Sequence, residues 1–191
     1  MNNSTLYYQL EDVIVKSGWN HKILISQFDI YMKRIRKRKI IANTLSVLTS
    51  VSVTTSLVNL FHNNNISLWI TLVISIMSAS ASIFTKNEDI NKEAIYCKQY
   101  AEKFLQIKEK CISDLYKISG SKILNDSLEK EIYHRHTKIL MKMDILDETM
   151  PFTSQKSVSL ASFKIKKRFD NDISNDYKFF IPFNLIKERK D

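Results

Sequence analysis

The side chains best suited to chemistry in this chain are four histidines, at 21, 62, 134 and 136, and two cysteines, Cys97 and Cys111. On a helix, alternate residues point about 200° apart, so His134 and His136 do not converge on one metal ion and are expected at the surface. Cys97 and Cys111 lie 14 residues apart, about 21 Å along a helix, too far to bridge each other. They read as small apolar residues rather than as a disulfide or a zinc site. No Gly-rich phosphate loop, GxSxG elbow, HExxH, CxxC or DxDxDG occurs in the sequence. With only two glycines in 191 residues, a loop that cradles nucleotide phosphates is not expected. The chain reads as a non-enzyme with no catalytic residues, no metal and no cofactor.

What the sequence offers instead is an abrupt segregation of charge. Lys33, Arg34, Arg36, Lys37, Arg38 and Lys39 form a basic block, after which no Lys, Arg, Asp or Glu occurs until Lys86. The formal net charge is +9. Scattered lysines read as solubility, and no nucleic-acid recognition fold accompanies them, so no nucleic acid is expected as a partner. The uncharged stretch divides at His62-Asn63-Asn64-Asn65 into segments of 22 residues (40–61) and 19 residues (66–84). As helices these would be about 33 and 28 Å long, matching a hydrocarbon core of about 30 Å. A soluble hairpin would normally carry a charged, wet face, so two membrane spans are expected. The basic block before the first span, Lys86 and Lys92 after the second, and a connecting loop without Lys or Arg place both termini in the cytoplasm. Trp69 suits the membrane interface.

The first span is unusually polar. Asn43, Ser46, Thr49, Ser50 and Thr54 gather on one side, and in the second span Ser75/Ala79 and Ser78/Ser82 form small-xxx-small pairs. Two readings follow: these residues form a helix-packing seam, or they line a water-filled path, which requires several chains.

Beyond the spans, Ile90, Ala94, Cys97, Ala101, Phe104, Cys111, Leu115 and Ile118 recur at spacings of three and four, broken by Lys108. This is the seam of a long helix that could run unbroken from about Ile66 to Ile118 and end at Gly120. A second helix, capped at Asp126 and ended by Pro151, should fold back on it. Ahead of the basic block, a short helix around Thr5–Lys16 is expected to stop at Ser17-Gly18. A following helix, marked by Leu24, Phe28, Tyr31 and Ile35, should continue into the first span. The expected organisation is an all-α membrane protein, a two-span transmembrane helical hairpin extended into a cytoplasmic helical bundle. Its parts are cytoplasmic N-terminal helices with the basic anchor (1–39), the transmembrane hairpin (40–85), an antiparallel helix pair (86–150) and a C-terminal tail (151–191). The tail carries Lys164, Lys166, Lys167 and Arg168, then Tyr177, Phe179, Phe180 and Phe183, and is expected to dock on the helices, the alternative being contact with the anionic inner leaflet.

This order of parts resembles the SLATT domains, two-span membrane effectors of bacterial conflict and antiphage systems. The resemblance rests on the basic entry "YMKRIRKRKIIANTLSVL", the minimal outer loop, the amphipathic helix "NKEAIYCKQYAEKFLQIKEKCISDLYKI" with Ala94, Tyr100 and Ala101, and the helix end at "DETMPFTSQKSVSLA". It covers roughly Trp19 to Ala161. Lys108 stands where many relatives would carry Arg. The resemblance implies a homo-oligomer in the bacterial inner membrane that forms a pore or otherwise breaches the lipid bilayer in antiphage defence by abortive infection. It implies a trigger from a nucleotide second messenger or from a sensor or nucleotidyltransferase partner. The competing expectation is a non-conducting membrane anchor, a scaffold whose cytoplasmic helices recruit a partner.

Overall fold

In a computed structural model, residues 3–60, 65–85, 88–120, 126–168 and 179–186 are described, with the side chains of 3, 4, 52, 55–60, 65–68, 81–85, 88, 126 and 168 outside that description. Among the described residues the chain is all-helical, with no strand. The helices are α1 (Asn3–Leu60), α2 (Asn65–Thr85), α3 (Glu88–Gly120), α4 (Asp126–Thr149) and α5 (Gln155–Arg168), followed by a 3-10 turn at Phe183–Leu185. The bends these helices need are few, which is why two glycines and two prolines suffice.

Helix α1 differs from expectation. It runs 58 residues without a stop at Ser17-Gly18. Ser17 is buried and its hydroxyl donates to the Ile14 carbonyl at 3.1 Å, so it stays inside the helix rather than capping it. Gly18 is retained for space: a Cβ there would lie 2.3 Å from Cδ1 of Phe180. A mid-helix glycine costs roughly 0.5–1 kcal/mol relative to alanine, and here the aromatic ring occupies the room it leaves.

The chain divides into two compact units, Met1–Phe28 with Ile95–Asp191, and Asp29–Ala94. In the larger unit, α1 buries Leu6, Tyr7, Leu10, Val13, Ile14 and Leu24. Helix α3 contributes Cys97, Ala101, Phe104, Ile107, Cys111, Leu115 and Ile118 to the same core. Helix α4 adds Ile132, Ile139, Met143 and Leu146, while Ala161 and Ile165 come from α5. The spacings of three and four along each helix are those of one face turned to a core. Ser154 starts α5: its Oγ accepts from the Ser157 N–H at 3.3 Å, while its own N–H and hydroxyl both donate to Gln27 Oε1, at 3.1 and 2.8 Å. After α5 the chain returns through Phe180, Ile181 and Leu185, all buried. Trp19 meets Phe180 edge-on at 5.6 Å, and the Tyr7 hydroxyl donates to the Leu185 carbonyl.

The smaller unit holds the uncharged segments. Both are helical, but among the described residues no helix is long and apolar enough to cross a membrane. Ser, Thr and Asn are spread through α1 and lower its apolar character. The expected helix from Ile66 to Ile118 crosses 86–87, which lie outside the described residues.

Candidate functional site

The surface of the smaller unit is set by how α1 and α2 are covered. Along α1, Ile35, Arg38, Ala42, Leu45 and Thr49 are half-buried, at spacings of three and four. Asn43, Ser46, Ser50 and Thr54 are exposed and lie off that stripe. Thr49 therefore parts from the polar set with which the sequence grouped it. Along α2, Thr71, Ile74, Ser75 and Ser78 are half-buried and Ala79 is exposed. The side chain of Ser82 lies outside the described residues, as does His62. Of the basic block, Lys33, Arg34, Arg36, Lys37 and Lys39 are exposed and Arg38 is half-buried.

Five hydroxyls on α1 and α2 are satisfied within their own helix. Ser50 donates to Ser46 O at 3.0 Å and Thr54 to Ser50 O at 3.0 Å. Thr49 donates to Leu45 O at 2.8 Å, Thr44 to Ile40 O at 2.9 Å, and on α2 Ser80 to Ile76 O at 2.9 Å. Each bond returns one turn to the i−4 carbonyl, which removes the main cost of placing a hydroxyl in an apolar medium. Beside this polar stripe the two helices expose Ile40, Ile41, Val47, Leu48, Val51, Val53, Trp69, Ile70, Leu72, Val73, Ile76 and Met77. So large an uncharged apolar surface is foreign to a chain facing water on all sides. Near the start of the hairpin, the Tyr31 hydroxyl donates to Glu93 Oε2 at 3.0 Å.

Along α3 the seam is buried from Ala94 to Ile118, with Ile90 and Lys108 half-buried. Cys97 and Cys111 are both fully buried and not joined in a disulfide, and burial pushes the Cys111 thiol up to about 12. His134 is exposed, but His136 is 3% exposed, which corrects its expected place at the surface. It belongs to the inward face of α4 with Ile132, Ile139 and Met143, and burial lowers its pKa. His21 shares a 2.9 Å hydrogen bond through Nδ1 with the Ala101 carbonyl, and burial lowers its pKa also. Among the described residues no group of His, Cys, Asp or Glu could hold a metal ion.

A groove between α3 and α4 was not among the expectations drawn from the sequence. It has a volume of about 390 Å³ and a floor formed by Ile107 and Ile139. Five cationic side chains line it, Lys110, Lys117, Arg135, Lys138 and Lys142, against one carboxylate, Asp114. Asp114 is buried and accepts from Arg135 Nη2 at 2.9 Å, with Lys117 Nζ 3.5 Å away. Arg135 Nη1 also reaches Glu131 at 2.5 Å. The spacing of Lys110 and Lys117 on one helix, and of Arg135, Lys138 and Lys142 on the next, is the one signal that could have located the groove.

Two uncharged helical segments thus follow a basic segment and are joined in sequence to a helical core. The chain belongs to family 4 of the SMODS and SLOG-associating 2TM effector domains, the SLATT domains, whose family model matches residues 6–176. The resemblance drawn from the sequence is therefore correct as to family. No curated protein and no solved structure matches the chain.

Proposed function

We propose that the chain is a membrane effector that oligomerises in the bacterial inner membrane and conducts ions or breaches the bilayer, arresting an infected cell. The observation that carries this reading is the surface of α1. Its Ser46, Ser50 and Thr54 stripe is exposed, with the hydroxyls of Ser50 and Thr54 bonded to the backbone, and it runs beside exposed Ile40, Val47 and Val51. In a bilayer the aliphatic face would meet lipid, and the polar stripe would meet the same stripe on neighbouring chains or the water between them. One helical hairpin cannot enclose a channel, so an oligomer follows. The basic block Lys33–Lys39 would hold both termini in the cytoplasm. A family described as a 2TM effector domain supports the membrane setting, and its association with SMODS and SLOG supports a partner that supplies the trigger. The reading assigns no catalysis to the chain.

Induced expression together with its trigger should collapse the membrane potential and stop growth. Normal potential and growth at high expression would contradict conduction. An anchor that only recruits a partner is the second reading, favoured by the buried α3 seam, which gives the helices outside the hairpin a stable core of their own. Dye-loaded liposomes separate the two, because an anchor leaves the dye inside.

A further inference from the structure

We infer that the groove between α3 and α4 is a binding site for a small ligand carrying more than one phosphate. The site deepens the effector reading by giving it an input, and rests on that reading only for its consequence. Whether the groove binds phosphate can be measured without any leakage.

The groove combines three properties. First, its charge is one-sided: four lysines and one arginine line it with Asp114, and Glu131 beside it reaches only Arg135. Arg135 and Lys117 are held by Asp114, whereas Lys110, Lys138 and Lys142 have no ion-pair partner among the described residues. Gathering like charges around one concavity is unfavourable until an anion joins them, and a low-dielectric wall strengthens the attraction for that anion. Second, the groove is anchored. Asp114 is buried beneath it and fixes Arg135 by a 2.9 Å bond, so part of the cationic rim is preorganised by the fold. Third, its size suits a small molecule. A volume of about 390 Å³ falls in the range of ligand pockets, about 300–1,000 Å³. Lys110 and Lys117 stand two helical turns apart, about 10 Å, and Arg135 and Lys142 repeat that spacing on α4. A single phosphate is too small to reach both ends, so a ligand that engages all the cations carries several. The buried floor at Ile107 and Ile139 leaves room for an apolar or planar part beside the phosphates.

The test uses the full chain in phosphatidylcholine nanodiscs, titrated calorimetrically with inorganic tripolyphosphate. Three variants accompany it: Lys110→Gln/Lys138→Gln/Lys142→Gln, the same positions changed to Arg, and Lys98→Gln/Lys130→Gln/Lys156→Gln, which removes equal charge elsewhere. All the altered lysines are exposed, and circular dichroism with a melting curve confirms folding. The inference expects saturable binding that weakens at least tenfold in the groove Gln variant, persists in the Arg variant, and changes less than threefold in the remote variant. No saturable binding, or equal weakening in the groove and remote variants, would overturn it. Two competitors then identify the source of the phosphates. Displacement by ATP marks a soluble ligand, and displacement only by vesicles bearing a bisphosphorylated inositol headgroup marks a lipid. Failure of both to displace a saturably bound tripolyphosphate would overturn the assignment of the groove to phosphate-bearing biological ligands.

Discussion

Gly18 and Phe180 are in contact across the larger unit, with the ring occupying the space where a Cβ on residue 18 would stand 2.3 Å from Phe180 Cδ1. The same ring meets Trp19 edge-on, so the C-terminal segment is held by the first helix. Gly18→Ala forces the ring out of its seat, because helix backbone on one side and a buried aromatic on the other leave no slack. The expected cost is about 1–3 kcal/mol, seen as a lower Tm and faster chymotryptic cleavage around Phe179–Phe183. In a Phe180→Ala background the added cost of Gly18→Ala should largely vanish, since the two changes share one contact. Additive effects would contradict the contact.

Asp114 is the anion that holds the α3/α4 rim together, bonded to Arg135 and near Lys117. Asp114→Asn removes that charge and leaves the cations facing one another, for a loss of about 1–3 kcal/mol. Adding tripolyphosphate should restore part of the lost Tm, because a ligand that binds only the folded state stabilises it. A variant as stable as the parent at low salt would contradict this role.

Stability should fall on acidification through two imidazoles, buried His136 and half-buried His21. Burial lowers the pKa of both His21 and His136, while hydrogen bonds to backbone at Ala101 and Gln9 act in the opposite sense. In the unfolded chain they protonate near 6.5; in the folded chain they protonate only at lower pH. The unfolded state thus binds more protons as pH drops below about 7, so this contribution to stability is lost as pH falls from 6.5 through the folded pKa and is level below it. Tm measured from pH 7.5 to 5 should decline, and His136→Gln should flatten part of the decline. An unchanged slope would exclude His136 as a contributor.

The cysteines offer a probe of opening. Cys97 and Cys111 are fully buried, and burial raises the Cys111 thiol to about 12, so almost no thiolate is present at neutral pH. Maleimide should label neither until the helical core opens. Rapid labelling of the resting protein would contradict a closed core.

How far the sequence foretold these features depended on the range of the interaction. The all-helical class was legible because apolar residues recur at three and four along α3 and α4, a local property. Family membership was legible from the order of the basic block, uncharged segments and amphipathic helix. Gly18 was misread as a helix end because its reason, the Phe180 ring, lies far along the chain. His136 was misread as a surface residue because a polar type on an inward face leaves no mark in composition. The groove escaped notice because it depends on which face of α3 meets which face of α4. In the uncharged segments the sequence left packing and water-lining open for Ser46, Ser50 and Thr54. All three are exposed on α1, and both readings stay open.

The most direct test of the membrane-effector account is dye release from liposomes carrying the purified chain, compared with Ser46→Leu/Ser50→Leu/Thr54→Leu. These three residues are exposed and outside the helical core, so the variant should insert and fold as the parent does. The account predicts that the parent releases dye under activating conditions and that the Leu variant, inserted to the same level, releases at least tenfold less. Equal release by both would remove the polar stripe from the conducting path, and an intact dye load with the parent would contradict conduction itself.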